Sequence, residues 1–204
     1  MLRGIYAILN EGADTLALAR AVTSAGIRVV QYRAKQGLVA RSLRQLRALT
    51  HACGALLIIN DDSEAAVRYD CDGVHLGPDD PGFADVAGMR TALGERLIGV
   101  SCGTVEEAHA AGAQDVDYLG VGSVYATPSK PDAGAPIGIG GLVRVAAASR
   151  VPVAAIGGIN AFNVAAVARS GVAMAAVISA IAGDTDPAFA ARRLVRMWNE
   201  AAPR

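Results

Sequence analysis

Gln31, Arg33 and Lys35 alternate along the chain, which puts an amide and two cations on one side of an extended segment, because successive strand side chains point to opposite faces. That set suits a phosphate-rich ligand. Asn60-Asp61-Asp62 directly follows a run of aliphatic residues, and Asp79-Asp80 closes the segment His75-Leu76-Gly77-Pro78-Asp79-Asp80. Carboxylates from two loops, completed by diphosphate oxygens and water, make a hard-cation site suited to Mg²⁺. Acids alone say little, since Asp62 or Ser63 also reads as the cap of the following helix. Acids beside a basic cluster are the informative combination. Ser101 ends another apolar run and offers a hydroxyl to a phosphate or a substrate edge. Gly157-Gly158-Ile159-Asn160 and Ile178-Ser179-Ala180 end two more, and glycine there lets backbone N–H groups approach an anion closely. Two anion sites are implied, one basic and metal-assisted, the other built mainly of backbone. A diphosphate and a monophosphate meeting at one mouth would need such a pair.

These residues do chemistry only if an architecture gathers them. Strand-like runs recur at 4–9, 27–32, 55–59, 73–76, 97–101, 118–124, 151–156 and 174–178. They are continuous β-branched and aliphatic runs, as in parallel strands covered on both faces. Amphipathic segments separate them. Asp14 is placed to cap the first, Leu18, Val22 and Ala25 give it an apolar face, and Gly26 is placed to end it. The last starts at Pro187 and sets Leu194, Met197 and Trp198 on one side. Roughly 25 residues per unit accommodates a short strand, a helix and two short loops. Eight such units predict an α/β fold with a single domain over 1–204, a (β/α)₈ TIM barrel at the small end of its size range. An open doubly wound sheet is the alternative. In a barrel the active site is built at the C-terminal strand ends, which is where the residues above fall. The longest irregular stretch, 126–138, follows a strand and carries Thr127, Ser129 and Lys130. It is expected to be an active-site lid.

Composition narrows the partners. Hydrophobic residues make up 52% of the 204 and charged residues 19%, which excludes intrinsic disorder. Nineteen basic residues balance nineteen acidic ones, so there is no broad basic field for nucleic acid or an anionic membrane, and an anion must be held locally. Cys53, Cys71 and Cys102 are odd in number and lack CxxC spacing; they read as reduced thiols of a cytoplasmic protein. No secretory leader pattern opens the sequence, and its most apolar stretch, 172–182, is too short to span a bilayer. Neither nucleic acid nor membrane is expected as a partner, and self-association into a homo-oligomer is left open. His75, inside an apolar run, reads as a core or supporting imidazole rather than a catalytic base. His51 and His109 read as surface residues. Arg41, Arg44 and Arg47, and likewise Arg192, Arg193 and Arg196, read as solvated helix faces.

The ordered series VVQYRAK, LIINDD, DGVHLGPDD, IGVS, DYLGVGSVYATPSK, VPVAAIGGIN and VISAI resembles the thiamine phosphate synthase family from about residue 4 to residue 182. The resemblance implies a Mg²⁺-dependent transferase. A pyrimidine-methyl diphosphate loses pyrophosphate, the ring nitrogen of a hydroxyethylthiazole phosphate takes the vacated carbon, and thiamine phosphate results. The path it implies is dissociative, through a pyrimidine-methyl cation. Gln31, Arg33 and Lys35 then match the diphosphate-substrate clamp, with Asn60, Ser101 and Lys130 as further contacts. Asp61 and Asp80 match the Mg²⁺ ligands. Thr127, Ser129, Gly158, Ile178 and Ser179 match the contacts to the thiazole phosphate. Lys130, Arg33, Lys35 and Ser101 are the residues expected to assist catalysis. Pro78 stands where the family commonly has Gln, and Ser129 replaces a Thr while keeping the hydroxyl. A thiazole tautomerase paralogue, another sugar-phosphate barrel enzyme and a non-catalytic thiazole-phosphate-binding barrel are the rival readings. The tautomerase would be eroded at Asp61, Asp80, Lys35 and Lys130, all of which are present here.

Overall fold

All eight apolar runs form strands in the computed structural model of the chain, which describes residues 2–80, 82–127 and 134–203. They are β1 (Gly4–Asn10), β2 (Val29–Arg33), β3 (Leu56–Asn60), β4 (Gly73–Leu76), β5 (Leu97–Cys102), β6 (Tyr118–Val121), β7 (Val153–Ile156) and β8 (Met174–Val177). Each pairs in parallel with the next, and β1 pairs with β8, closing the barrel. Helices α1 (Thr15–Ser24), α2 (Ala40–Ala52), α3 (Ser63–Arg68), α4 (Val86–Leu93), α5 (Val105–Ala111), α6 (Gly138–Ala148) and α7 (Val164–Arg169) alternate with the strands. After β8 come the short α8 (Ser179–Ala182) and the long α9 (Pro187–Ala201). Helix α9 packs on α1, α7 and α8, sealing the ring of helices where chain start and chain end meet. The TIM barrel expected from the strand count is borne out, and the open sheet is not.

Local chemistry sets the boundaries. The Asp62 carboxylate accepts from Ala65 N at 2.8 Å and so caps α3. Asp186 caps α9 from Phe189 N at 2.9 Å, and Pro187 fills the first turn, where a missing N–H costs nothing. At α1 the side chain of Asp14 makes no capping bond; the Thr15 hydroxyl accepts from Gly12 N at 2.8 Å instead. Strand β2 starts two residues later than its apolar run, because Ile27 N donates to Val22 O and belongs to the turn after α1. Strand β6 stops at Val121 rather than 124, although Val124 N and Tyr125 N still bond to Ile156 O and Gly157 O. Helix α6 already includes Gly138, so the long connector ends at residue 137.

Apolar packing divides into two regions. One lies between strands and helices, and the other fills the barrel with Tyr6, Ile8, Val29, Ile58, Tyr118, Ala154, Met174 and Ala176, floored by Leu2, Leu56 and Leu97. Beneath the strands sit two carboxylate clamps of one design. Asp72 accepts from Leu57 N at 2.7 Å and from Arg47 at 3.2 Å; Asp117 accepts from Ile98 N at 2.7 Å and from Arg90 at 2.6 Å. Arg47 is therefore not part of a solvated face, as its helical spacing implied, but a half-buried partner of Asp72 and Asp70. Arg41, Arg44, Arg192, Arg193 and Arg196 are exposed, as are His51 and His109. Among the described residues no helix is long and apolar enough to cross a membrane.

Candidate active site at the barrel mouth

Register carries the expected side chains to one place. Ile8 lies opposite Gln31, Asn10 opposite Arg33, Asn60 opposite His75, and Ser101 opposite Gly120. Gln31 and Arg33 share the inward phase of Val29, Asn60 that of Ile58, and Ser101 that of Gly99, so the polar residues sit directly above the interior packing. Arg33 Nη1 donates to Asn10 Oδ1 at 3.2 Å, which ties the guanidinium to the end of β1. Asn10 is a site neighbour that the sequence reading passed over.

Strand β3 ends at Asn60, and Asp61 turns away with a positive φ of 68°, its N–H bonded to His75 O at 2.9 Å. Asp and Asn visit this left-handed region more readily than other side chains. The turn brings the Asp61 carboxyl against that of Asp80, which sits in the loop after β4. Burial and the neighbouring Asp80 carboxylate push the Asp61 carboxyl up to about 7, while Lys35 and Arg33 pull it down. Asp80 is fixed by its own loop. Its N–H donates to Gly77 O at 3.1 Å and its Oδ2 accepts from Gly77 N at 2.5 Å. Pro78 occupies the second position of that turn, where its locked φ is favourable and no N–H is required. Pro78 is thereby accommodated without disturbing the carboxylate.

A proton shared between two crowded carboxyls is what a divalent cation displaces, so the donor set fits Mg²⁺. Among the described residues no group of three or more His, Cys, Asp or Glu converges on one point. A Mg²⁺ held by this pair would need ligand oxygens and water to fill its shell, in keeping with how Mg²⁺ binds beside phosphates.

Loops after β6, β7 and β8 form the other side of the mouth. Gly157 and Gly158 have φ of 100° and 64°. A Cβ on Gly158 would come within 2.5 Å of Ala126 O and 2.7 Å of Tyr125 Cβ. Only glycine lets the β7 loop lie this close to the segment leading to Thr127. Asn160 and Asn163 donate to Gly158 O at 3.2 and 3.0 Å, holding the loop from the far side. Ile178 precedes the first turn of α8 with no side-chain cap, and Ser179 is exposed beside it. Thr127, Gly158, Ile178 and Ser179 are thus drawn from three consecutive loops. Ser129 and Lys130 lie outside the described residues.

Below the mouth the barrel is not simply apolar. Gln31 Nε2 donates to the Tyr6 hydroxyl at 2.7 Å, the Tyr6 and Tyr118 hydroxyls are 3.0 Å apart, Tyr118 lies 3.1 Å from His75 Nδ1, and His75 Nε2 lies 3.2 Å from Ser101 Oγ. His75 thus sits between the Tyr118 and Ser101 hydroxyls. Tyr6 and Tyr118 were missed, since a phenol inside an aliphatic run reads as filler.

The family model for thiamine monophosphate synthase matches residues 5–181. The chain belongs to that family. It is 46% identical over 191 residues to the thiamine-phosphate synthase of Moorella thermoacetica, covering 91% of this chain and 89% of that protein. Against the thiamine-phosphate synthase of Archaeoglobus fulgidus it is 46% identical over 184 residues, covering 88% and 85%. The solved thiamine phosphate pyrophosphorylase of Pyrococcus furiosus superposes with a TM-score of 0.87 at 31% identity, over 99% of this chain and 98% of that one. The chain is accordingly an enzyme of thiamine biosynthesis, a transferase of the thiamine-phosphate synthase type.

Proposed function

We propose that the mouth joins a pyrimidine-methyl diphosphate to a hydroxyethylthiazole phosphate, releasing pyrophosphate and thiamine phosphate. The observation that carries this reading is the Asp61–Asp80 pair facing Arg33 and Lys35, with the close-packed Gly157-Gly158 loop across the barrel. Gln31, Arg33, Lys35, Asn60 and Ser101 hold the diphosphate substrate, with Lys130 as a further contact to it. Arg33 and Lys35 neutralise charge that grows on the departing oxygens as the C–O bond ionises. Asp61 and Asp80 would hold Mg²⁺, which when bound supplies further charge neutralisation at the diphosphate. Thr127, Ser129, Gly158, Ile178 and Ser179 hold the thiazole phosphate so that its ring nitrogen faces the vacated carbon. Positioning of the two partners and charge neutralisation carry the catalysis, and no protein nucleophile is needed.

A cytoplasmic setting fits the free thiols, of which buried Cys71 and Cys102 are pushed up to about 12 and about 11 by desolvation and so stay protonated. Pyrophosphate release, measured with both substrates, tests the reading. Release that requires both heterocycles and stops on chelation of divalent ions is expected. Conversion of a thiazole phosphate without pyrophosphate release would instead identify a tautomerase.

A further inference from the structure

We propose that Tyr118 is a positioning residue. In this assignment the buried chain Gln31–Tyr6–Tyr118–His75 holds the imidazole of His75 as the Nε2–H tautomer and so leaves the Ser101 hydroxyl to donate to the ligand. The inference deepens the proposed function, since Ser101 belongs to that site.

The direction follows from counting protons. Gln31 Nε2 donates to Tyr6 at 2.7 Å, which occupies the Tyr6 oxygen as an acceptor. Tyr6 is 2% exposed and must place its own hydroxyl proton inside the barrel, where an idle buried donor is costly. Among the described residues its acceptor is the Tyr118 oxygen, 3.0 Å away. The Tyr118 proton then has His75 Nδ1, at 3.1 Å. A neutral imidazole accepting at Nδ1 carries its proton on Nε2. Nε2 in turn donates across 3.2 Å to Ser101 Oγ. Ser101, only partly buried at the mouth, is left with its proton for a substrate acceptor. The opposite polarity would strand the Tyr6 proton.

Packing holds the chain in this alignment. A Cβ at Gly99 would run into the Tyr118 ring, and one at Gly120 would come within 2.8 Å of His75 Cε1. Two glycines thus make room for the two rings, and Tyr6 packs edge-on to Tyr118 with centroids 6.1 Å apart. Burial pushes both phenols well above their ordinary range, so each keeps a proton to donate.

The test is nitrogen-15 NMR of the imidazoles, of which there are three, His51, His75 and His109. The unliganded protein is expected to show His75 as a single Nε2–H tautomer. Tyr118→Phe keeps the ring in its glycine cradle and removes one hydroxyl; it should mix the two tautomers and lower kcat roughly 10-fold, about the worth of one correctly directed hydrogen bond. The KM for thiazole phosphate should stay unchanged. In a Ser101→Ala background the same substitution should cost no further activity, because the chain acts through Ser101. An Nδ1–H or doubly protonated His75 in the native protein overturns the proposal, as does a Tyr118→Phe penalty that persists in full without Ser101. The tautomer measurement needs neither variant nor turnover, so it fails independently of the proposed reaction. An absence of pyrophosphate release would sink the reaction and leave the hydrogen-bond chain to be judged by NMR.

Discussion

Replacing Asp61 with Asn should stabilise the metal-free protein while abolishing turnover. In the unfolded chain this carboxyl titrates at 3.8; in the fold, burial and Asp80 raise it to about 7. Between those values the folded protein holds a proton that the unfolded chain releases, so stability falls as pH rises and the whole penalty is present above about 7. For a fully buried carboxyl, a rise from 3.8 to about 7 would be worth about 4 kcal/mol. Asp61 is only half-buried, and solvent screening cuts that to about 1–2 kcal/mol. Asn tolerates the left-handed backbone at this position and can donate to Asp80, imitating the shared proton. For a chain of this size the gain is a rise in Tm of a few degrees. Thermal melts at pH 8 and pH 5, without divalent ions, provide the assay. The variant should exceed the native protein at pH 8, and the gap should shrink at pH 5, where the native pair already carries its proton. Millimolar Mg²⁺ should then raise the native Tm and leave the variant unmoved. An advantage equally large at both pH values, or none at pH 8, would refute the like-charge argument.

Lys130→Ala should reduce kcat well beyond any change in thiazole-phosphate affinity, which steady-state kinetics with each substrate varied will resolve. Gly158→Ala forces a side chain into a left-handed conformation 2.5 Å from Ala126 O, and should raise the KM for thiazole phosphate roughly 10-fold while costing about 1–2 kcal/mol in denaturant titration. Asp117→Ala removes the clamp under β5 and leaves Ile98 N and Arg90 without their acceptor; a loss of about 2 kcal/mol in unfolding free energy is expected with kcat retained.

Much of this was legible from the chain because parallel strands are nearly continuous apolar runs, and polar residues at their ends stand out. Gln31 and Arg33 showed their shared phase, and Asn60 and Ser101 their place at strand ends, for that reason. The Tyr6–Tyr118 link was not legible, since it depends on which glycines face which rings, and only strand register decides that. Arg47 was misread because its acceptors, Asp70 and Asp72, are remote in sequence and come beside it only after α3 and β4 form. Nor does any residue pattern announce that Asp61 takes a positive φ, although this turn is what sets its carboxyl against Asp80.

The Asp72 and Asp117 clamps grip the strands at the end opposite the mouth. The interactions that pin alignment are thereby insulated from those that select a ligand. A designer can exchange the upper rim wholesale, connector by connector, and still inherit a correctly closed cylinder.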